Sequence, residues 1–478
     1  MSVNATDPVE QTRPQQADRH RWRVLGICLV AGFMTLLDVS IVNVALPSIQ
    51  LGLNAPATAL AWVVSGYALT FGLVLVPAGR LGDDRGRGRM FLLALALFTA
   101  ASALCGFAPE PLWLVVARLL QGAAGGMLSP QVLGLMQQLF HGRDRGRAFG
   151  LFGAVVGIST AIGPLLGGLI IQLAGAEDGW RWVFFVNLPI GAAAILYGLR
   201  VLPRDVPADR ASSLDLVGVL LLGGGLLCLL LPLIEQESRR GTPWYLLAVA
   251  AVLLALFVVW EHLYQARGRA PLVNLRLLTI RSYSFGAGLA LLYFAGFTGI
   301  FFVLAVYFQR GLGYSALLAG LALTPFAVGS AVSSALSGRI VHRLGRRLVI
   351  IGLVAALAGL MATDLLLAAH PGPAVGWVTA LPLLVAGAGS GLVISPNQTV
   401  TLSEIDPGYG GIAAGVQQTG QRIGSAVGTA AASGLFFGAL SAHGFDAAIA
   451  SGLLVSVGFV AASLLVAVAE ALVRRHTT

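Results

Sequence analysis

The sequence contains no lysine. All 30 basic side chains are arginine, set against 21 acids, and charged residues make up 11% of a chain that is 57% hydrophobic. A soluble chain carries about 25% charged residues, so this scarcity excludes a string of ordinary soluble domains. Cysteine is also rare: Cys28, Cys105 and Cys228 all fall in apolar stretches without ligand spacing. That excludes a disulfide framework or a zinc site and leaves packing. The seven histidines sit at the ends of apolar stretches or between them, so none is placed as a mid-membrane proton carrier. No HExxH, GxSxG or glycine-rich nucleotide loop occurs, so the constellations of an intramembrane hydrolase or an ATP-driven pump are missing.

What is present is apolar sequence from end to end. Fourteen spans can be marked: 24–46, 59–79, 90–107, 112–136, 147–172, 182–201, 214–233, 244–264, 283–309, 317–338, 348–369, 375–397, 410–438 and 446–469. Their lengths suit helices crossing a hydrocarbon core of about 30 Å. The fold class expected is therefore an all-α polytopic membrane protein with fourteen transmembrane helices. The first span is too long for a cleavable signal, and no small-residue cleavage site follows it. Residues 1–23 are polar and read as a disordered tail.

The net charge of +9 would suit nucleic acid, but its distribution says otherwise. Alternate connections place 24 arginines on one side of the membrane and four (Arg181, Arg239, Arg240 and Arg310) on the other, while Arg118 and Arg422 lie inside spans. Such asymmetry reports topology and puts both termini in the cytoplasm. A multi-pass protein of a bacterial-type cytoplasmic membrane is expected, with the lipid bilayer and not nucleic acid as its partner.

Two segments repeat. "GRLGDDRGRGR" (Gly79 to Arg89) and "GRIVHRLGRRL" (Gly338 to Leu348) share Gly, Arg, Gly and Arg at an offset of 259 residues. "GGMLSPQ" from Gly125 echoes "SGLVISPN" from Ser390. Gly146, Ala148, Gly150, Ala161 and Gly163 match Gly411, Ala413, Gly415, Ala426 and Gly428 at an offset of 265. The matches come in order, so they mark two homologous six-helix halves, 24–201 and 283–470, with an inserted helix pair and its loops at 202–282 and a short tail at 471–478. Paired halves are characteristic of secondary transporters, whose cavity lies between them.

Inside this apolar frame a few polar side chains stand out. Asp38, in "TLLDVSIVNVALP", lies about 20 Å along the first helix at 1.5 Å per residue, and Arg118 lies about 9 Å from the opposite surface in the fourth. The two therefore share a depth. A buried aspartate beside an arginine can stay ionised, and can take a proton when the geometry changes; a static ion pair between helices is the simpler alternative. Arg422, in "VQQTGQRIG", has Gln417, Gln418, Thr419 and Gln421 around it. So many polar groups at about 18 Å depth must face a cavity or another helix. Asp364, at a depth like that of Asp38, is the partner that repeat symmetry offers Arg422, unless it reaches the outer interface. The ninth span carries Tyr293, Phe294, Phe297, Thr298, Phe301 and Phe302, suited to aromatic ligands or to packing and lipid contact. Cavity candidates are thus Gln121, Tyr293, Phe297, Phe301, Gln417, Gln418, Gln421, Arg422 and Asp364. In "GISTAIGPLLGG", Gly157, Gly163, Gly167 and Gly168 allow close helix approach while Pro164 bends the fifth helix. In the loop 79–89, Asp83 and Asp84 among arginines suggest a latch between helices, and His342 replaces Asp83 in the second copy.

Taken together, these segments resemble the major facilitator superfamily, and in particular its 14-helix drug:proton antiporter branch. "LLDVSIVNVALP" looks like that branch's first-helix signature and "GRLGDDRGRGR" is similar to the superfamily loop motif G-x-L-a-D-r-x-G-r-k. "ARLLQGAAGG" resembles the fourth-helix motif, "GPLLGG" the antiporter motif and "WRWVFFVNLPIG" the start of the sixth helix. The resemblance covers residues 20–470. Asp84 and Gly88 depart from the basic residues usual in the loop motif, and Ser159 from the first glycine of the antiporter motif. The resemblance implies proton-driven export of amphiphilic drugs, antibiotics or secondary metabolites by alternating access, with no cofactor, from a monomer. Asp38 and Arg118 would couple protons, Gly163, Pro164, Gly167 and Gly168 would shape the antiporter interface, and Gly79, Asp83, Gly86 and Arg87 would stabilise one conformer. Export of lipid or peptide, or import on the same scaffold, remains open.

Overall fold

The computed structural model describes residues 8–175, 177–202, 215–234, 243–370, 372 and 374–475. Glu235, Arg239 and Arg240, to which the sequence assigns interfacial or loop positions, lie outside the described residues. Among the described residues every regular element is helical, and fourteen helices are long and apolar enough to cross a membrane. Helices satisfy their own backbone groups, which is what an apolar span in lipid requires.

The N-terminal half comprises α1 (Pro8–Leu53), α2 (Ala57–Arg85), α3 (Arg87–Gly106), α4 (Pro111–Leu139), α5 (Gly142–Ala174), α6 (Gly179–Phe185) and α7 (Asn187–Val201). The inserted pair is α8 (Leu216–Ile234) and α9 (Tyr245–Ala266). The C-terminal half comprises α10 (Arg281–Val306), α11 (Ala316–Leu344), α12 (Arg346–Ala369), α13 (Val375–Val378), α14 (Ala380–Thr401), α15 (Gly410–His443) and α16 (Phe445–Arg475).

One sequence expectation needs correction. Residues 8–23, read as a disordered tail, are the first turns of α1. Their Gln, Arg, Ala and Glu content favours helix, and a helix already nucleated by the apolar span extends backward at little cost. The sixth span runs over 179–201 as expected; α6 and α7 follow one another through Val186, whose φ and ψ of −58° and −27° stay in the helical region.

The halves repeat each other in packing. α4 packs on α2 and α3 as α14 packs on α11 and α12, and α1 meets α5 as α10 meets α15. The repeated Gly86 and Gly345 each turn the chain in a single residue, between α2 and α3 and between α11 and α12. Their φ values of 103° and 50° lie in the region that favours glycine.

Two seams join the halves, α5 against α11 and α2 against α15. Both rely on glycines from the repeats. A Cβ on Gly146 would come 2.7 Å from the Gly338 carbonyl oxygen, and one on Gly79 would come 2.4 Å from that of Gly411. The α5–α11 contact continues upward through Gly150, Gly153 and Gly157 against Ser334 and Ala331. On the other seam α8 lies across both helices, with Leu222 and Leu226 packed among Leu73 and Val76 of α2 and Val416 and Ile423 of α15. At the arginine-rich end of the inserted pair, Asp215 accepts hydrogen bonds from Trp260 Nε1 (2.8 Å) and Gly218 N (3.0 Å). Glu261 is fully buried beside it and accepts from Val273 N at 3.4 Å.

Candidate functional site

Three polar features bear on the candidate site: a buried network in the N-terminal half, a pocket between the halves, and a latch at the arginine-rich end.

The network is centred on Asp38, which has no solvent exposure. Arg118 Nη1 donates to its Oδ2 at 2.6 Å, while Gln121 Nε2 and Asn187 Nδ2 donate to Oδ1 at 2.9 and 3.2 Å. Ser102 Oγ accepts from both amides. Arg118 also donates to the Val63 carbonyl (3.0 Å) and to Gln121 Oε1 (2.8 Å), and its guanidinium lies 4.2 Å from the Tyr67 ring centroid. A buried charge needs this degree of pairing and hydrogen bonding. Gln121, expected in the cavity, is wholly buried inside the network instead, because its place three residues after Arg118 puts both side chains on one face of α4. Sequence reasoning missed Ser102 and Asn187. Asn187 is the first residue of α7, and its amide reaches Asp38 from there. An asparagine beside a proline-containing "NLPIG" within an apolar span was the available signal.

The pocket lies between the halves and is lined by residues including Gly32, Thr35, Phe71, Ser129, Phe152 and Arg422. Its cavity of about 30 Å³ holds a water or two, so a drug-sized guest requires the halves to part. Arg422 stacks on Phe71, 4.3 Å from the ring centroid. Phe71 follows Tyr67 by one turn of α2, with ring centroids 6.0 Å apart. Guanidinium, phenol ring, phenyl ring and guanidinium thus form a column from Arg118 to Arg422.

Other cavity candidates fall elsewhere. Asp364 makes no ion pair with Arg422: it lies half-buried on α12, which packs on α14 and α16, whereas α15 packs chiefly on α10, α16 and α2. Symmetry of sequence did not extend to these side chains because Arg118 has no cationic counterpart on α14; the offset of 266 between Pro130 and Pro396 puts Leu384 there. Tyr293, Phe297 and Phe301 join Phe326 in an aromatic cluster packed on the core of the C-terminal half, away from the pocket lining. Gln418 accepts from Ser129 Oγ at 2.6 Å, bridging the halves. Gln421 is half-buried, and Gln417 is fully buried with neither amide atom hydrogen-bonded.

The latch crosses between the halves at the arginine-rich end. Asp83 accepts from Arg87 at 2.6 Å and from the backbone N–H groups of Gly411 (3.0 Å) and Ile412 (2.9 Å) in the first turn of α15. A carboxylate here satisfies orphan amides and meets the positive end of the helix dipole. Arg87 reaches Gly134 O (2.7 Å) and Pro407 O (2.5 Å). Gln137 adds bonds to the Leu402 and Ile405 carbonyls, both 3.1 Å. Asp84, unusual in the loop motif, pairs with Arg80 at 2.9 Å.

At the antiporter motif, a Cβ on Gly163 would strike Ser40 Oγ at 1.9 Å and one on Gly167 would reach Ile41 at 2.9 Å. Nothing lies within 4 Å of that position on Gly168, so Gly168 does not contribute to the α1–α5 approach. Pro164 faces Gly320 of α11 across the seam. Ser159 is tolerated because its hydroxyl bonds back to Val155 O (2.7 Å), while its carbonyl accepts from Ser40 (3.0 Å).

Two repeated six-helix halves, a buried charged network around Asp38 and a small pocket that Arg422 completes from the second half define a polytopic membrane carrier. The family model for the Major Facilitator Superfamily matches residues 28–429, and the chain belongs to that superfamily. It is 37% identical over 427 residues to a probable actinorhodin transporter of Streptomyces coelicolor, covering 88% of this chain and 74% of that protein. It is 37% identical over 443 residues to the puromycin resistance protein pur8 of Streptomyces alboniger, covering 91% and 86%. The tetracenomycin C resistance and export protein of Streptomyces glaucescens is 33% identical over 414 residues, covering 86% and 74%. Among solved structures, the proton:xylose symporter XylE superposes with a TM-score of 0.68 at 16% identity, covering 94% of this chain and 95% of that one.

Proposed function

We propose that the protein is a proton-coupled exporter of amphiphilic antibiotics or secondary metabolites, working by alternating access as a monomer with no bound cofactor. The observation that carries this reading is the sequestered Asp38–Arg118 pair, whose carboxylate also takes the Gln121 and Asn187 amides. The names of the relatives, all of them transport or antibiotic resistance proteins, support the direction and the kind of cargo.

On this reading the arginine-rich end faces the cytoplasm, as the charge asymmetry suggests, and the Asp83–Arg87 latch closes that side. Protonation of Asp38 removes the charge that holds Arg118, and α4 carries the consequence. The same helix bears Arg118 and Gln121 at one end and Gln137, which bonds across the halves, at the other. Pro130 lies between them, where a missing N–H lets the helix bend.

In proteoliposomes with an imposed pH gradient, wild-type protein should drive efflux of at least one of puromycin and anthraquinone-type compounds. Asp38→Asn should abolish it. Gradient-driven efflux that survives Asp38→Asn would remove Asp38 from the coupling.

A further inference from the structure

We infer that Arg422 is the receptor for an anionic aromatic cargo: a flat conjugated ring system bearing an acidic group. This rests on the exporter reading and names the class of molecule exported.

Arg422 is the charged residue in the pocket lining; the other lining groups are apolar, aromatic or hydroxyl-bearing. Among the described residues it makes no ion pair, and its guanidinium is held by the Phe71 ring. A face-on ring steadies a cation but leaves its charge uncompensated. No carboxylate lines the pocket. Asp38 is wholly buried and bound to Arg118, and Asp364 lies on α12, which packs on α14 and α16. The N-terminal network is therefore close to neutral, and the pocket carries one net positive charge. A desolvated guanidinium presents a planar fork of donors that matches a carboxylate, sulfonate or phenolate. Phe71 and Phe152 in the same lining supply apolar area for rings. A lipophilic cation meets the opposite situation: like charge, and no acid to receive it.

The assignment has a consequence for coupling. An anion on Arg422 and a proton on Asp38 do not compete: protonation leaves Arg118 uncompensated, and the added positive charge favours an anion at the other end of the same column of rings. Exchange of the two must come from exclusion between conformers, with the latch and seams as the moving parts, and not from competition for one carboxylate.

The test uses purified full-length protein in nanodiscs and three probes: anthraquinone-2-sulfonate, the neutral 2-methylanthraquinone and tetraphenylphosphonium. The sulfonate stays ionised throughout, so its binding reports on the protein. Wild type should bind the sulfonate about ten-fold or more tighter than the neutral analogue, the scale of a charge-assisted hydrogen bond, and should bind tetraphenylphosphonium more weakly than either. Arg422→Gln should bring the sulfonate-to-neutral ratio to about one, while Arg422→Lys should keep a ratio above about three, since the charge survives without the fork. Equal binding of all probes by wild type, preference for the cation, or an undiminished ratio in Arg422→Gln would overturn the assignment. If Arg422→Gln fails to fold, a ratio of about one in Arg422→Lys overturns it equally. The exporter reading fails by a separate result: a proton gradient that drives no efflux of puromycin or of any of the three probes from wild-type proteoliposomes.

Discussion

The two seams between the halves are copies of one design, and they differ in chemistry. In both, a repeated glycine on one helix meets a repeated glycine on the other, Gly79 with Gly411 and Gly146 with Gly338. Only the α2–α15 seam adds charge: Asp83 holds the first turn of α15 through the Gly411 and Ile412 amides. The matching position on the α5–α11 seam is His342, which is exposed. The cause lies in where the helices start. α15 begins at Gly410, so its first amides are free to be captured. α5 begins at Gly142, and the amides equivalent to those of Gly411 and Ile412 are already inside the helix. One seam is therefore closed by a bond that can be lost, the other by packing along its length, and a hinge with one latched side follows.

The same division separates the interiors of the halves, and the largest effect is expected there. Arg118→Ala should cost about 3–5 kcal/mol, the usual penalty for leaving one buried charge alone, and should end gradient-driven efflux. Leu384→Ala, at the corresponding C-terminal position, should cost less than about 2 kcal/mol because the side chain is already 37% exposed. Thermal unfolding in detergent and proteoliposome efflux measure both. A comparable penalty at Leu384 would mean that the interiors are more alike than their charges.

Next comes the buried pair that the C-terminal half has in place of a latch. Arg346, the repeat counterpart of Arg87, turns inward to Glu470 at 2.5 Å and also bonds Asn397. Glu470→Gln should lower stability by about 3 kcal/mol while leaving the protection of the α15 amides unchanged. If hydrogen exchange at Gly411 and Ile412 accelerated in that variant, Arg346 would belong to the latch after all.

Smaller effects should separate the seams themselves. Gly411→Val should cost about 1–3 kcal/mol from overpacking and open the arginine-rich end, read as faster exchange across residues 408–415. Gly146→Val should cost a similar amount without that local signature. Asp83→Asn should weaken the closed conformer by about 1–3 kcal/mol, again with faster exchange at the same amides. Smallest of all, His342→Asp should change stability by less than about 0.5 kcal/mol, because α5 offers no free amide for the new carboxylate. A clear gain in protection at the start of α5 would show that its first turn is less self-sufficient than its hydrogen bonds indicate.

Much of the fold was legible because lipid simplifies the code. Runs of apolar residues had to be helices, and arginine-rich connections alternated with poor ones. The repeat could be read from glycines because only glycine permits the approaches at Gly79–Gly411 and Gly146–Gly338. Depth arithmetic placed Asp38 and Arg118 at one level, and they are bonded. It failed for Asp364 and Arg422, since equal depth fixes only one coordinate and helix neighbours fix the others. It also could not show that Gln121 and Asn187 both turn toward Asp38. Glu261 was passed over because it stands three residues from the end of the eighth span's apolar run, where an acid is unremarked until the structure shows it enclosed. The column from Arg118 through Tyr67 and Phe71 to Arg422 joins side chains from α4, α2 and α15, and no spacing along one segment reveals it.

The inserted pair has a mechanical consequence. Since α8 leans on both α2 and α15, any motion that separates those helices must slide them along α8 or pull it to one side. In water, parting such apolar faces would be resisted by their hydration. In a bilayer the acyl chains that flow in are as apolar as the leucines they replace. The pair would then behave as a lubricated bearing over the latched seam, adding little resistance to a stroke that parts α2 from α15. Its friction should accordingly depend on the fluidity of the surrounding lipid more than on the identity of its own leucines.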